Sequence, residues 1–255
     1  EIIGVQHTTV PFWHLYNFDD PRSLSDAHSC AMPLPDCLAV NGPAARRAFL
    51  GAGFPAQKLV EVEALRYLNL MPVAKERGVQ SPRSGAMRVI ILGDMIPGSM
   101  RLFLELVAVA AKRLPPGYEF TFKPHPGYPV NLADLADLKA SETAESLHGI
   151  LEQFDVAIAA NSTSASIDAY VAGLPVIIDL RGDDLNLSPL RGESGIHFVS
   201  SPAELVQALE AIRSGSASAS SDRESLFHLD AELPRWRVLL TSSQVCGTMS
   251  HDQSD

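Results

Sequence analysis

The stretch Phe122-Lys-Pro-His-Pro-Gly127, followed further on by Ala160-Asn-Ser-Thr-Ser-Ala-Ser166, decides how this chain is read. The first segment closes Tyr118–Lys123, which reads as a strand, and sets Lys123 and His125 at its end, each followed by a proline. The second closes the apolar strand Val156–Ala160 and puts Ser162, Thr163, Ser164 and Ser166 where the helix Ser164–Ala172 begins. In an open α/β sheet both places lie on the rim outside the carboxyl ends of the strands, where ligands bind. A cation, an imidazole and a hydroxyl-rich helix start on one rim suit a phosphate-bearing ligand. An ordinary N-cap needs one hydroxyl, so this run exceeds what capping requires. The prolines beside Lys123 and His125 reduce the entropy lost in holding them.

Working outward, strand and helix alternate regularly. Arg88–Leu92, Pro175–Asp179 and Ile196–Val199 read as strands, and residues 98–113 and 144–153 as helices. Ser201-Pro-Ala-Glu204 carries a helix-start pattern for a helix running to Ile212. Residues 222–240 close with one more helix that has Pro234 near its start or kinked by it. Upstream, residues 2–5 read as a buried strand, Cys37–Val40 and Leu59–Val62 as strands, and Pro43 opens a helix ending near Gly51–Gly53. The polar stretch 76–86 reads as a linker and Ser214–Ser221 as a flexible connection. The expected organisation is an N-terminal part over 1–75, a ligand-binding domain over 87–241, and a disordered tail over 242–255. The first residues form an apolar strand without an initiator Met, so a missing upstream part is expected.

The chain has 255 residues and a net charge of −10, which argues against non-specific nucleic-acid binding. Cys30, Cys37 and Cys246 are odd in number and lack metal spacing, which favours a reducing cytoplasm over a disulfide framework. No apolar run approaches the roughly 20 residues of a membrane span.

Other residues join the candidate site. Asp168, one turn into the Ser164–Ala172 helix, either binds ligand hydroxyls or complements the helix start. Gly93, in Gly93-Asp-Met-Ile-Pro-Gly98 after the Arg88–Leu92 strand, lets backbone approach a ligand closely, although the loop is neither a GxGxxG fingerprint nor a Walker A motif. His7, Asp19 and Asp20 are candidates for a general base. Arg66, read as ending a strand and facing an interdomain cleft, suits either phosphate or carboxylate recognition or a structural salt bridge. Asp183, Asp184 and Asn186 read as loop residues. The remaining histidines show no metal spacing, and neither metal nor cofactor is expected.

Three segments together resemble a known family. They are Gly4-Val-Gln-His-Thr-Thr-Val-Pro-Phe-Trp13, the unit from Asn41-Gly to Ala64-Leu-Arg-Tyr67, and Lys123-Pro-His-Pro126 with Ser162-Thr-Ser164 and Ala172-Gly-Leu-Pro-Val176. The chain resembles, over residues 2–240, the GT-B glycosyltransferases of bacterial capsule and O-antigen, and within them the branch using CMP-activated ulosonic acids such as Kdo. The resemblance implies an α/β fold of two Rossmann-like domains with parallel sheets, the first incomplete here. It implies a nucleotide-sugar donor, a glycan or lipid-linked glycan acceptor, and peripheral association with the inner membrane or a polysaccharide assembly complex. Lys123 and His125 would meet the donor phosphate or the sugar acid, and Ser162, Thr163 and Ser164 the phosphate. The chain departs from the pattern at Glu63, where similar sequences often have Gly. The alternatives are a UDP-sugar-dependent transferase or epimerase, a polyol-phosphate transferase, and a non-catalytic nucleotide-sugar-binding module.

Overall fold

Short apolar runs separated by glycine- and proline-bearing loops build parallel sheets, because each strand must cross a helix or loop before returning in the same direction. The computed structural model describes residues 2–10, 15, 19–24, 32–70, 85–128, 138–216 and 223–241. Its strands are β1 (Ile3–Gln6), β2 (Cys37–Val40), β3 (Leu59–Glu61), β4 (Met87–Leu92), β5 (Tyr118–Lys123), β6 (Ser141–Glu142), β7 (Val156–Ala159), β8 (Val176–Asp179) and β9 (Ile196–Val199). Its α-helices are α1 (Pro43–Gly51), α2 (Pro97–Ala111), α3 (Leu147–Ile150), α4 (Ala165–Val171), α5 (Pro202–Arg213), α6 (Arg223–Leu226) and α7 (Pro234–Thr241). The chain divides into two units, Glu1–Leu68 with Arg223–Asp255, and Asn69–Asp222.

In the second unit the strands lie in the order β6-β5-β4-β7-β8-β9, all parallel. The chain starts at β4, winds outward to β6, then returns to the other side of β4 and winds outward again to β9. This is the doubly wound order of a Rossmann sheet, and its direction reverses between β4 and β7. The core joins Val89, Ile91, Val156, Ile158 and Ile177 of the strands to Phe103, Leu104 and Val107 of α2 and Leu205 and Leu209 of α5. Every residue of β7 and β8 is buried, as expected of strands covered on both faces. The expected start of α5 is present: Ser201 Oγ accepts from Glu204 N–H, and the Glu204 carboxylate accepts from Ser200 N–H at 2.7 Å.

The first unit holds a three-stranded parallel sheet, β1-β2-β3. Alternation along β2 sends Val40 towards Phe49 of α1, in a cluster with Phe54 and Leu59, and sends Cys37 and Ala39 into a cluster with Val62 and Leu239. Leu239 and Trp236 come from α7, so a segment near the chain's other end covers the second face. Residues 223–241, expected to close the second domain, therefore belong to the first unit. Sequence periodicity reports that a segment has an apolar face but not which sheet that face meets.

Several boundaries shift for local reasons. Residues 144–153 form α3 and then a 3-10 turn, Leu151–Gln153, in place of one helix; Gly149 lies inside α3 and weakens it. Residues 222–240 form α6 and α7 in place of one helix. Leu233 takes φ 54° before Pro234, a position where proline disfavours helical backbone. β1 is half-buried, with Val5 50% exposed, where a buried strand is expected. Residues 76–84 of the expected linker 76–86, the core of the serine-rich connection and the tail over 242–255 lie outside the described residues. Among the described residues no helix is long and apolar enough to cross a membrane.

Candidate functional site

The carboxyl ends of β4, β5 and β7 bring the second unit's expected residues onto one rim. Leu92 is paired with Lys123, and Gly93 N–H donates to Lys123 C=O at 3.0 Å. A Cβ on Gly93 would lie 3.1 Å from His125 N and 3.2 Å from Lys123 O, so glycine is what lets β4's loop sit against the Lys-Pro-His turn. Past that turn, Tyr128 N–H donates to His125 C=O at 2.9 Å, and Gly127 N–H donates to His125 Nδ1 at 3.0 Å. A backbone donor on Nδ1 leaves the neutral ring's proton on Nε2, the nitrogen available to a ligand. Lys123 and His125 are half-buried, and no acidic side chain pairs with Lys123 among the described residues.

The hydroxyl run is arranged differently from a simple helix-start anion site. α4 has only seven residues, and its N-cap makes no side-chain hydrogen bond. Its entry is internally bonded: Thr163 N–H donates to Ala160 C=O, Ile167 N–H to Ser164 C=O, and Ser166 Oγ–H to Thr163 C=O at 2.7 Å. A short helix has little macrodipole to offer. Thr163 and Asp168 are buried and Ser164 is exposed. Ser162 Oγ–H donates to Asp94 Oδ2 across the gap between the β4 and β7 loops.

Two carboxylates on this rim were not singled out by sequence reasoning. Asp94 is 6% exposed; its Oδ1 accepts from Met95 N–H at 2.6 Å, and its own N–H points to Met100 Sδ at 3.1 Å. Asp179, at the end of β8, is 2% exposed and its Oδ1 has no hydrogen-bond partner among the described residues. Arg181 Nε lies 3.5 Å from Asp179 Oδ2 and 3.2 Å from Asp184 Oδ2. Burial pushes the Asp179 carboxyl up to about 6, with Arg181 pulling it down and Asp184 adding a smaller push upward. Asn161 clamps the loop after β8 to the end of β7: its Nδ2 donates to Leu185 C=O at 2.7 Å and its Oδ1 accepts from Leu187 N–H at 3.1 Å. An acidic residue two positions past a strand end, inside a glycine-bearing loop, was the available signal for Asp94. Nothing in the sequence singled out Asp179.

The first unit carries the other expected residues. His7 is exposed just past β1, where Gln6 Nε2 donates to Thr8 and Thr9. Asn41, past β2, donates to Thr8 C=O at 2.8 Å. Asp19 is half-buried, and Asp20 is exposed and forked by Arg22 Nε and Nη2 at 3.0 and 2.6 Å. Arg66 does not end a strand: β3 stops at Glu61, and Arg66 lies exposed in the 3-10 turn Leu65–Leu70, its guanidinium 5.9 Å from the Tyr67 ring centroid. Between β3 and that turn lies Glu63, whose buried carboxylate accepts from Trp236 N–H of α7 at 3.1 Å.

No protein-family profile and no curated protein matches the chain. Solved structures do. A putative UDP-N-acetylglucosamine 2-epimerase from Listeria monocytogenes matches with a TM-score of 0.55 at 12% identity, over 89% of this chain and 63% of that one. UDP-GlcNAc 2-epimerase from Neisseria meningitidis, bound to UDP-GlcNAc, gives 0.53 at 10% identity over 88% and 64%. The spinosyn rhamnosyltransferase SpnG, complexed with thymidine diphosphate, gives 0.50 at 17% identity over 83% and 57%. These likenesses show the fold: α/β, GT-B-like, with parallel Rossmann-like sheets, one with three strands among the described residues. The chain spans less than two thirds of the length of each of these three structures.

Proposed function

We propose that the chain is part of a glycosyltransferase that takes its sugar from a nucleotide-activated donor held on the rim of the second unit. One observation carries this reading. The Lys123-Pro-His125 turn is pinned against the end of β4, offering an ammonium without an acidic partner among the described residues and an imidazole held with Nε2–H free. Such a pair neutralises and hydrogen-bonds a phosphate as it departs with the leaving nucleotide, where charge develops. The GT-B-like fold supports the assignment, since the epimerase and SpnG structures that share it hold UDP-GlcNAc and thymidine diphosphate.

The donor proposed is a CMP-ulosonic acid such as Kdo, used for bacterial surface polysaccharide and delivered to a glycan or lipid-linked glycan. The support is the resemblance of Lys123-Pro-His-Pro126 and Ser162-Thr-Ser164 to that branch. A CMP sugar leaves with a single phosphate, a smaller charge than a diphosphate for one ammonium and one imidazole N–H to stabilise. The second reading is a UDP-sugar transferase or epimerase, favoured by the UDP-GlcNAc in the Neisseria structure.

Calorimetry with CMP, CDP, UMP, UDP, GDP and ADP separates them. CMP is expected to bind tightest; UDP binding about tenfold tighter than CMP would transfer the assignment to the second reading. Lys123→Ala and His125→Ala are each expected to weaken the preferred nucleotide about ten- to a hundredfold, the loss of one charge-assisted hydrogen bond, without unfolding the protein. Unchanged affinity in both variants would remove the site from this rim.

A further inference from the structure

The hydroxyl of Ser162 donates its only proton to the Asp94 carboxylate, so towards a ligand it presents lone pairs. Asp94 is itself nearly buried and adds a negative charge behind it. Both groups sit where the strand order reverses, on the loops after β4 and β7. An acceptor backed by a carboxylate repels phosphate and receives a hydroxyl donor. The neighbouring side chains agree with that polarity. Met95 and Ile96, directly after Asp94, are 60% and 46% exposed, and Leu185, whose carbonyl is tied to Asn161 next to Ser162, is 61% exposed. Apolar side chains beside hydrogen-bond acceptors suit a sugar ring, which has C–H faces and hydroxyl edges.

We infer that Asp94 is a specificity-determining residue: it fixes Ser162 as an acceptor, so that the crevice between the β4 and β7 loops takes a ring with free hydroxyls and leaves phosphate to Lys123 and His125. This rests on the nucleotide-sugar reading above. The ring is either the nucleotide's ribose or the transferred sugar, and the two share the chemistry recognised.

Asp94→Asn inverts the device. Met95 N–H must keep an acceptor, so the amide oxygen faces Met95 and the amide NH2 faces Ser162, freeing the Ser162 proton. Titration of the folded full chain with inorganic phosphate is expected to show at least about a tenfold gain in the variant. CMP against 2′,3′-dideoxy-CMP, and UDP-glucose against UDP, are compared in both proteins. If the substitution abolishes the first preference the ring is ribose, and if it abolishes the second it is the transferred sugar. No change in either preference and no gain in phosphate affinity overturns the inference. Should Asp94→Asn fail to fold, Ser162→Ala decides: phosphate affinity is expected to stay within about twofold of the parent, and a tenfold loss would make Ser162 a phosphate donor and end the proposal. A parent protein that binds no nucleotide refutes the proposed function, while the phosphate titration still tests Asp94.

Discussion

At neutral pH Asp179 holds a charge while almost fully buried, and among the described residues Arg181 is the cation placed to offset it. Its folded value of about 6 lies above the ordinary 3.8. Between those values the folded protein keeps a proton that the unfolded chain has lost, so this group's contribution to stability falls as pH rises through the window and stays lowered above it. The cost at pH 7 is on the order of 3 kcal/mol. Asp179→Asn is therefore expected to be more stable than the parent at neutral pH, with an advantage that grows between about pH 4 and 6 and then stays constant. Chemical denaturation of both proteins across that range checks it; a pH-independent difference would mean that packing, not ionisation, sets the effect. The strand-end placement of Lys123 and His125 was legible because prolines and a strand end mark them locally. Asp94 was not, because its meaning comes from Ser162, 68 residues away along the chain. Asp179 was hidden because an aspartate at a strand end carries no local sign that the fold will bury it.

At the level of elements, Glu63 explains how α7 is held. Its carboxylate accepts from Arg235 N–H at 3.0 Å and Trp236 N–H at 3.1 Å, capping the helix start from a distant strand end, and Trp236 Nε1–H donates to Glu63 C=O at 2.9 Å. The Glu that departs from the resembling sequences is thus a structural tie. Glu63→Gly is expected to lose on the order of 3 kcal/mol, with Glu63→Gln recovering part of it, because hydrogen bonds to a charged group are worth about 1.5–3 kcal/mol. Urea unfolding, with intrinsic tryptophan fluorescence as one probe, measures the loss. Equal stability of Glu63→Gly and the parent would show that apolar packing alone seats α7. A second restraint acts at Gly42, where φ is 153° and a Cβ would lie 2.6 Å from Phe227 Cα. The described strands other than β6, and the start of α5, could be read from periodicity and capping residues. The partner of α7 could not, since a helix stripe records what is buried and not against what.

At the scale of the molecule, the two sheets differ in how well they shield their backbones. β7 and β8 are buried throughout, with β4 and β9 as their outer neighbours, whereas β1 is half-exposed in a sheet of three strands. Hydrogen exchange is expected to be slowest in β4, β7 and β8 and fastest, among strands, in β1. Equal protection in both sheets would show that the first unit opens only with global unfolding. A parallel α/β sheet was foreseeable from alternating strands and helices; its strand order and the division of the chain were not. The first unit takes in residues from both sides of the second, with α7 sealing the face that Cys37, Ala39 and Val62 present. On the ribosome this imposes a schedule. The second unit has its described strands once β9 and α5 have emerged and can fold while synthesis continues, whereas β1–β3, made before it, must wait, one apolar face uncovered, until translation has passed Thr241.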